Sequence, residues 1–264
     1  MSALKGTALI TGASTGIGAV YADRLAKRGY DLILVARSQE KLSEVAARLK
    51  SADRRIETIS ADLTKKEDVR LVAERLSADP TITALVNNAG AASVAKLLDS
   101  NIDDLETMID LNVTALTRLA LAALPGFVER GNGLLINIAS VVGLAPELLN
   151  GTYSGSKAYV VNFTQALKKE VEGKGVTVQA VLPGATATPL WEKAGRPVEH
   201  LPSEIVMTAE DMVDASLAGL DQHELITIPS LPDIADWERY EAARKALGPN
   251  LSRRQPAARY GIQG

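Results

Sequence analysis

Short β-branched or aliphatic runs alternate with longer segments of helical period along this chain, and no other feature restricts its fold as much. The strand-like runs are Thr7 to Thr11, Leu32 to Ala36, Ile56 to Ser60, Ala84 to Asn87, Leu134 to Ile138, Thr177 to Leu182 and Leu225 to Ile228. Helical periodicity fills the gaps over Ile17 to Arg28, Gln39 to Lys50, Asp103 to Phe127, Thr152 to Val171 and Ile234 to Leu247. Two further helix starts carry capping signals: Thr64 with Glu67 ahead of Val69 and Val72, and Thr208 with Asp211 ahead of Met212 and Val213. The order predicts an α/β fold, a doubly wound parallel sheet of about seven strands with helices on both faces. At 264 residues, with no linker-like stretch, the chain reads as a single domain over 1–264.

Ligands of open α/β sheets collect beyond the carboxyl ends of the strands, so the segments just after the strand signals carry the chemistry. The first is TGASTGIG at residues 11 to 18, a tight glycine turn between a strand and a helix. Such a turn brings backbone N–H groups and a helix N-terminus together, a place to seat a pyrophosphate, although glycine clusters also serve as plain connections. Further along, Tyr153 and Lys157 stand four residues apart on one face of a helix. A nearby cation lowers a phenol from its usual value near ~10 by roughly 1 to 3 units, so the pair is expected to form a tuned proton donor. Ser140 follows the fifth strand, where a hydroxyl can polarise a carbonyl. Asn112 lies within a long helix, an unfavourable place for an amide unless it finds a partner. Tyr240 and Arg244 repeat the spacing of the first pair with no glycine turn, serine or asparagine motif beside them, and read as a surface pair.

Other segments agree with a nucleotide site. NNAG at 87 to 90 gives the chain a tight path after the fourth strand, either to admit a ligand or to brace neighbouring strands. Asp62 follows the third strand, where its carboxylate is able to accept from an adenine amino group or to help start the next helix. Pro183 and Gly184 end the sixth strand. Gly12, Gly16 and Gly18 have three residues between the first two glycines; with NNAG, Asn112 in LNVTAL, Ser140 in INIAS, YSGSK from Tyr153 and the PG pair, in this order, the chain resembles the classical short-chain dehydrogenase/reductase family over roughly residues 5 to 190.

That resemblance implies a seven-stranded Rossmann-type sheet and hydride transfer between a nicotinamide and a carbonyl or alcohol. It implies Asn112, Ser140, Tyr153 and Lys157 as the catalytic set, Asn112 acting through water toward solvent and Lys157 also holding the ribose. It implies cofactor contacts at Gly12, Ser14, Thr15, Gly16, Ile17, Gly18, Asp62, Leu63, Asn88, Ala89, Gly90, Tyr153, Lys157, Pro183, Gly184, Thr186 and Thr188. A homodimer or homotetramer built on two long helices is the assembly it implies.

Cofactor choice turns on the end of the second strand, where Ala36 and Arg37 stand in place of a carboxylate that would bind a free ribose 2′-OH. A guanidinium binds phosphate bidentately and Ser14 adds a donor, so NADP(H) is expected, unless Arg37 is simply a solvated loop charge. The reading is an NADPH-dependent reductase of a neutral, fairly hydrophobic ketone or aldehyde; an NAD-dependent enzyme and a non-catalytic dinucleotide sensor are the alternatives.

A net charge of −3 gives no footprint for nucleic acid or an anionic membrane, and zero cysteines exclude disulfides, thiolate nucleophiles and zinc–thiolate sites. His200 and His223 lack spaced ligands, so no metal is expected. The opening MSALKG and the absence of an apolar run long enough for a bilayer lead to a cytoplasmic expectation. A lid is expected at about 186–208, where Leu190, Trp191, Leu201, Ile205, Val206 and Met207 either line an apolar pocket or pack the lid down. After the last strand, where the family pattern has a glycine-rich end, an extension at about 230–264 carries an extra helix with Trp237 and Tyr240 and a basic tail with Arg253, Arg254 and Arg259.

Overall fold

The computed structural model describes residues 5–49 and 54–262. Strands β1 (Thr7–Thr11), β2 (Asp31–Ala36), β3 (Ile56–Ser60), β4 (Ile82–Asn87), β5 (Gly133–Ile138), β6 (Val176–Val181) and β7 (Ile226–Thr227) form one sheet in the order β3-β2-β1-β4-β5-β6-β7. Every pairing is parallel. The connecting helices are α1 (Gly16–Lys27), α2 (Gln39–Arg48), α3 (Lys66–Ala78), α4 (Ile102–Ile109), α5 (Leu116–Glu129), α6 (Gly151–Glu170), the single turn α7 (Leu190–Lys193) and α8 (Ala209–Asp221). A strand order that reverses between β1 and β4 opens a crevice at the carboxyl edge, the place for a ligand in a doubly wound sheet.

Alternation along each strand feeds two cores. On one face Ala8, Ile10, Leu32, Leu34, Val86 and Ile136 meet Tyr21 and Leu25 of α1, Leu42 and Val45 of α2, and Met212, Val213 and Leu217 of α8. On the other, Leu9, Ile33, Val35, Leu85, Leu135 and Val178 meet Val69 and Val72 of α3, Leu119 and Phe127 of α5, and Leu167 of α6. Each leucine, isoleucine, valine, methionine or phenylalanine among them taken fully out of water contributes roughly 1.5–3 kcal/mol, which is why strands apolar on both faces need helices on both faces. Ion pairs of Arg24 with Asp214 and of Arg28 with Asp221 tie α1 to α8 at the rim of the first core.

Local signals met different fates. The Thr208 cap forms as expected: its hydroxyl oxygen accepts from Asp211 N at 3.0 Å. The Thr64 cap does not. Helix α3 begins at Lys66, and Thr64 instead donates its N–H (3.1 Å) and hydroxyl (2.8 Å) to Asp62 Oδ1, because a carboxylate two residues back closes an Asx turn first. The helix expected over 39–50 ends at Arg48, and its last residue, Lys50, lies outside the described residues.

The helix expected from Asp103 to Phe127 runs from Ile102 to Glu129 but widens to π-helical turns over Asp110–Ala115 between α4 and α5. A 3.6-residue apolar pattern does not report such a widening; it is held by the tertiary bonds of Asn112 described below. By length and composition this helix could also cross a membrane, contrary to the expectation that no stretch is long enough. A sheet-covering core helix meets the same test, and Leu116, Leu119, Ala120, Ala123 and Phe127 of α5 are buried.

The chain divides into two compact units, residues 1–229 and 230–264. The second holds α9 (Ile234–Ala246), capped by Asp233, with Trp237 and Tyr240 stacked at 5.4 Å between centroids. None of the α9 residues is buried.

Candidate active site

The turn from β1 to α1 is built for close approach. Gly12 and Gly16 have φ of 65° and 54°, and a Cβ on Gly18 would overlap the Gly12 carbonyl. Thr15 precedes α1 without making a side-chain cap and the first turn holds no acidic residue, so its amides keep their capacity for an anion. Thr11, which sequence reasoning left unremarked, organises the turn: its hydroxyl donates to Val86 O (3.3 Å) and accepts from Asn88 N and Ala89 N, both at 3.0 Å. Asn88 Nδ2 donates to Thr11 O (2.9 Å) and Gly12 O (3.3 Å). Of the two readings of NNAG, the brace between β1 and β4 is what these bonds describe. A Cβ on Gly16 would meet Thr188 Cγ2 at 3.0 Å, so the segment after β6 lies against the glycine turn.

At the end of β2, Arg37 is exposed, while Ala36 is buried. Burial works to raise the Asp62 carboxyl, but the Thr64 hydrogen bonds and the charges of Arg37 and Lys65 hold it below its ordinary value. Asp62 thus serves the turn before α3, with Leu63 buried beside it.

Beyond β5, Ser140 Oγ donates to Pro183 O (3.3 Å) and accepts from Val142 N (3.4 Å), which fixes the serine between the ends of β5 and β6. A Cβ on Gly143 would press on the Lys157 and Ala158 backbone at 3.0–3.1 Å, so the turn after Ser140 packs flush on α6. Tyr153 and Lys157, one turn apart on that helix, are both buried, with Lys157 Nζ 5.8 Å from the Tyr153 ring centroid. The ammonium donates to Ile138 O at 2.9 Å.

The expectation of a phenol tuned downward is corrected here. Burial pushes Tyr153 up to about 12, and only a hydrogen bond with Ser140 works against the rise. Burial also brings Lys157 down to about 8, so the two groups are each driven toward neutrality. Spacing in a helix puts the pair on one face but carries no measure of desolvation, and here burial decides the direction for both groups. What results is a tyrosine held firmly in its proton-bearing form.

Asn112 has its partners. From the π-helical turns its Oδ1 accepts from Ala91 N (2.9 Å), while Nδ2 donates to Ala91 O (2.9 Å) and Ser156 Oγ (3.0 Å). Ser156 in turn donates to Tyr153 O at 2.7 Å. Sequence reasoning missed Ser156 and Ala91, although Ser156 sits inside YSGSK between the two singled-out residues. A Cβ on Gly90 would stand 3.2 Å from Asn112 Oδ1 and 3.6 Å from Lys157 Nζ, so glycine there keeps the two polar groups on a shared space.

The segment after β6 is pinned at its base: Ala187 N donates to Met207 O (2.8 Å), Met207 N to Ala185 O (2.9 Å) and Trp191 Nε1 to Thr186 O (3.0 Å). Met207 packs on the first core, whereas Ile205 is exposed. Among the described residues no three His, Cys, Asp or Glu side chains gather as a metal site.

The family model for short chain dehydrogenases matches residues 6–198. The chain belongs to the short-chain dehydrogenase family, a family of oxidoreductases. Among solved members, a short-chain dehydrogenase from Sphingobium yanoikuyae in complex with NADPH is 45% identical with a TM-score of 0.92, covering 96% of this chain and 98% of that one. The bulky-bulky ketone specific alcohol dehydrogenase from Comamonas testosteroni is 41% identical with a TM-score of 0.89, covering 97% and 98%. A very-long-chain 3-oxoacyl-CoA reductase of Bos taurus is 36% identical over 248 residues, 89% of this chain and 78% of that protein. A match over 96% of 264 residues takes in most of residues 230–264, so the unusual extension is shared with the Sphingobium dehydrogenase.

Proposed function

We propose that this short-chain dehydrogenase is an NADPH-dependent carbonyl reductase, reversible as an alcohol dehydrogenase, for a neutral and fairly hydrophobic ketone or aldehyde. The observation that carries the reading is the convergence of Tyr153, Lys157, Ser140 and Asn112 beside a glycine turn that a Cβ would fill. The NADPH in the Sphingobium dehydrogenase and the bulky ketones of the Comamonas enzyme support the cofactor and the substrate class.

The residues present fit the cofactor. The turn at Gly12, Ser14, Thr15, Gly16, Ile17 and Gly18 would hold the pyrophosphate, with Arg37 on the 2′-phosphate and Asp62 and Leu63 around the adenine. Asn88, Ala89, Gly90 and Lys157 would take the ribose side, and Pro183, Gly184, Thr186 and Thr188 the nicotinamide. When bound, the dihydronicotinamide supplies the hydride that adds to the carbonyl carbon. Ser140 polarises the carbonyl, and Tyr153, kept protonated by burial, gives its proton to the carbonyl oxygen. Lys157, uncharged more readily than a solvated lysine, stands next to the tyrosine to return a proton, and Asn112 holds the loop after β4 against α6. The segment at about 186–208 acts as a lid, residues 230–264 as an extension of one catalytic domain, and the assembly is a cytoplasmic dimer or tetramer built on the α4–α5 and α6 helices.

The test is a panel of ketones, aldehydes, oxoacyl thioesters and steroids offered with NADPH or NADH while nicotinamide absorbance is followed. Faster oxidation of NADPH with hydrophobic ketones is expected. Binding of NADPH without turnover on any of them would favour a sensor, and a preference for NADH would overturn the cofactor.

A further inference from the structure

Asn150 is a buried amide that the reaction does not use. It precedes α6 by one residue and Tyr153 by three. Its Oδ1 accepts from Thr152 N at 2.8 Å, the ordinary cap of a helix start, and its carbonyl takes both Ser154 N (2.9 Å) and Ser154 Oγ (3.0 Å). The Nδ2 points elsewhere, donating to Ala95 O at 2.8 Å and to Ser100 Oγ at 3.3 Å. Those two acceptors belong to the loop after β4, across a separation of 55 and 50 residues. Ser100 closes the loop on itself by donating to Lys96 O at 2.8 Å.

One side chain therefore both caps the helix that carries the proton donor and grips a loop at the carboxyl edge of the sheet. The consequence is local. Ala91 and Ala92 of the same loop pack with Val141, Val142 and Leu149, from the segment after β5, around Tyr153. Leu97, 60% exposed, sits on the 3₁₀ turn Leu97–Asp99 between the two residues that Asn150 holds, and Leu148, also 60% exposed, on the turn Pro146–Leu148 just before Asn150 in the chain. The grip extends further, since Val94 N donates to Ala194 O at 3.4 Å in the segment after β6.

We propose that Asn150 is a positioning residue for substrate: its amide N–H groups lock the 91–101 loop to the start of α6, so that the apolar walls beside Tyr153 keep one spacing and set which carbonyl compounds fit. The role rests on the reductase reading above, through the substrate that those walls would meet. Asn112 already holds the near end of the loop, Ala91, to Ser156 of α6, and the Asn150 amide does the same for its far end at Ala95 and Ser100.

The experiment uses two variants that keep an oxygen for the cap and lose the amide donors, Asn150→Asp and Asn150→Ser. Hydrogen exchange on the whole chain without substrate should show the amides of 95–101 exchanging roughly tenfold faster in both, with those of α6 unchanged and NADPH affinity as in the wild type. On a bulky ketone reduced by the wild type, KM should rise roughly three- to tenfold while kcat moves less, and a small ketone should be affected less than the bulky one. Unchanged exchange in 95–101 would overturn the lock whether or not the chain reduces ketones. Faster exchange with an unaltered ratio between bulky and small ketones would overturn the positioning role. Should the wild type reduce no carbonyl compound at all, the reductase reading fails, and the exchange comparison still decides the lock.

Discussion

Two tyrosines in this chain are followed four residues later by a basic side chain, and they have opposite fates. Tyr153 and Lys157 are 7% and 6% exposed, and each is pushed toward its neutral form by burial. Tyr240 is 48% exposed and stacks on Trp237, while Arg244 spends its guanidinium on Glu241 at 2.8 and 2.9 Å. Helical spacing is the same in both. What differs is the company: Ser140 beside the phenol, Ile138 O under the ammonium and Ser156 linking the helix to Asn112. A tyrosine and a lysine each pushed toward neutrality are made by a desolvated surrounding, not by the spacing of two residues.

The largest effect that could break this contrast is on turnover. Tyr153→Phe should lower kcat by roughly 10² to 10⁴, the usual contribution of a positioned acid, whereas Tyr240→Phe should leave it within about twofold. Equal effects of the two substitutions would erase the distinction.

Next comes stability against pH, measured by denaturant unfolding without added cofactor. Lys157 titrates at about 8 in the folded chain and at its ordinary 10.5 when unfolded, so between these values the unfolded chain binds more protons and stability rises with pH. Tyr153, raised to about 12 from 10.0, acts in the other direction: between 10 and 12 the folded chain binds more protons and stability falls. At roughly 1.4 kcal/mol per unit the lysine contribution amounts to a few kcal/mol. Lys157→Met should remove the rise above pH 8 and stabilise the chain at neutral pH. Arg244→Met should leave the shape of the curve alone. A rise that persists in Lys157→Met would mean that the lysine is not the desolvated group.

Arg37 sharpens the comparison, because it too is an exposed cation but stands in the bend after β2, where its charge helps to lower the Asp62 carboxyl. Arg37→Ala should lower the ratio of kcat/KM for NADPH over NADH about tenfold or more, from the loss of a charge-assisted bond to phosphate. Adding Ala36→Asp should move it further by repelling the 2′-phosphate. An unchanged ratio in both would remove Arg37 from the site. The smallest effect is expected at Arg244→Ala, within about 0.5 kcal/mol of wild-type stability and with no change in cofactor preference.

The parts of the molecule differ in how far the chain itself announces them. Strand Thr7–Thr11 coincides with its apolar run, because burial on both faces writes itself into composition, whereas the less buried edge strand Ile56–Ser60 is marked by its β-branched residues. The glycine turn is equally plain, since the positive φ of Gly12 and Gly16 and the close neighbours that a Cβ would meet there both favour glycine. Caps are half legible: Thr208 exchanges bonds with Asp211 inside the helix it caps, whereas Thr64 turns back to Asp62 two residues before it. The π-helical turns, the Thr11 brace and the Asn150 grip depend on groups far apart in sequence, and a polar residue in isolation does not declare a partner 21, 77 or 55 positions away. Nor does spacing reveal the direction of the Tyr153 shift, which desolvation decides. The four proposed catalytic side chains were visible as motifs; their electrostatics were not.

The central claim is that Tyr153 serves chemistry rather than binding, and a single-turnover measurement on NADPH-saturated Tyr153→Phe, with NADPH Kd determined on the same preparation, tests it most directly. The expected result is a Kd within about twofold of wild type and a hydride-transfer rate reduced by the same factor as steady-state kcat. Hydride transfer at the wild-type rate, or a loss of rate matched by an equal loss of NADPH affinity, would contradict it.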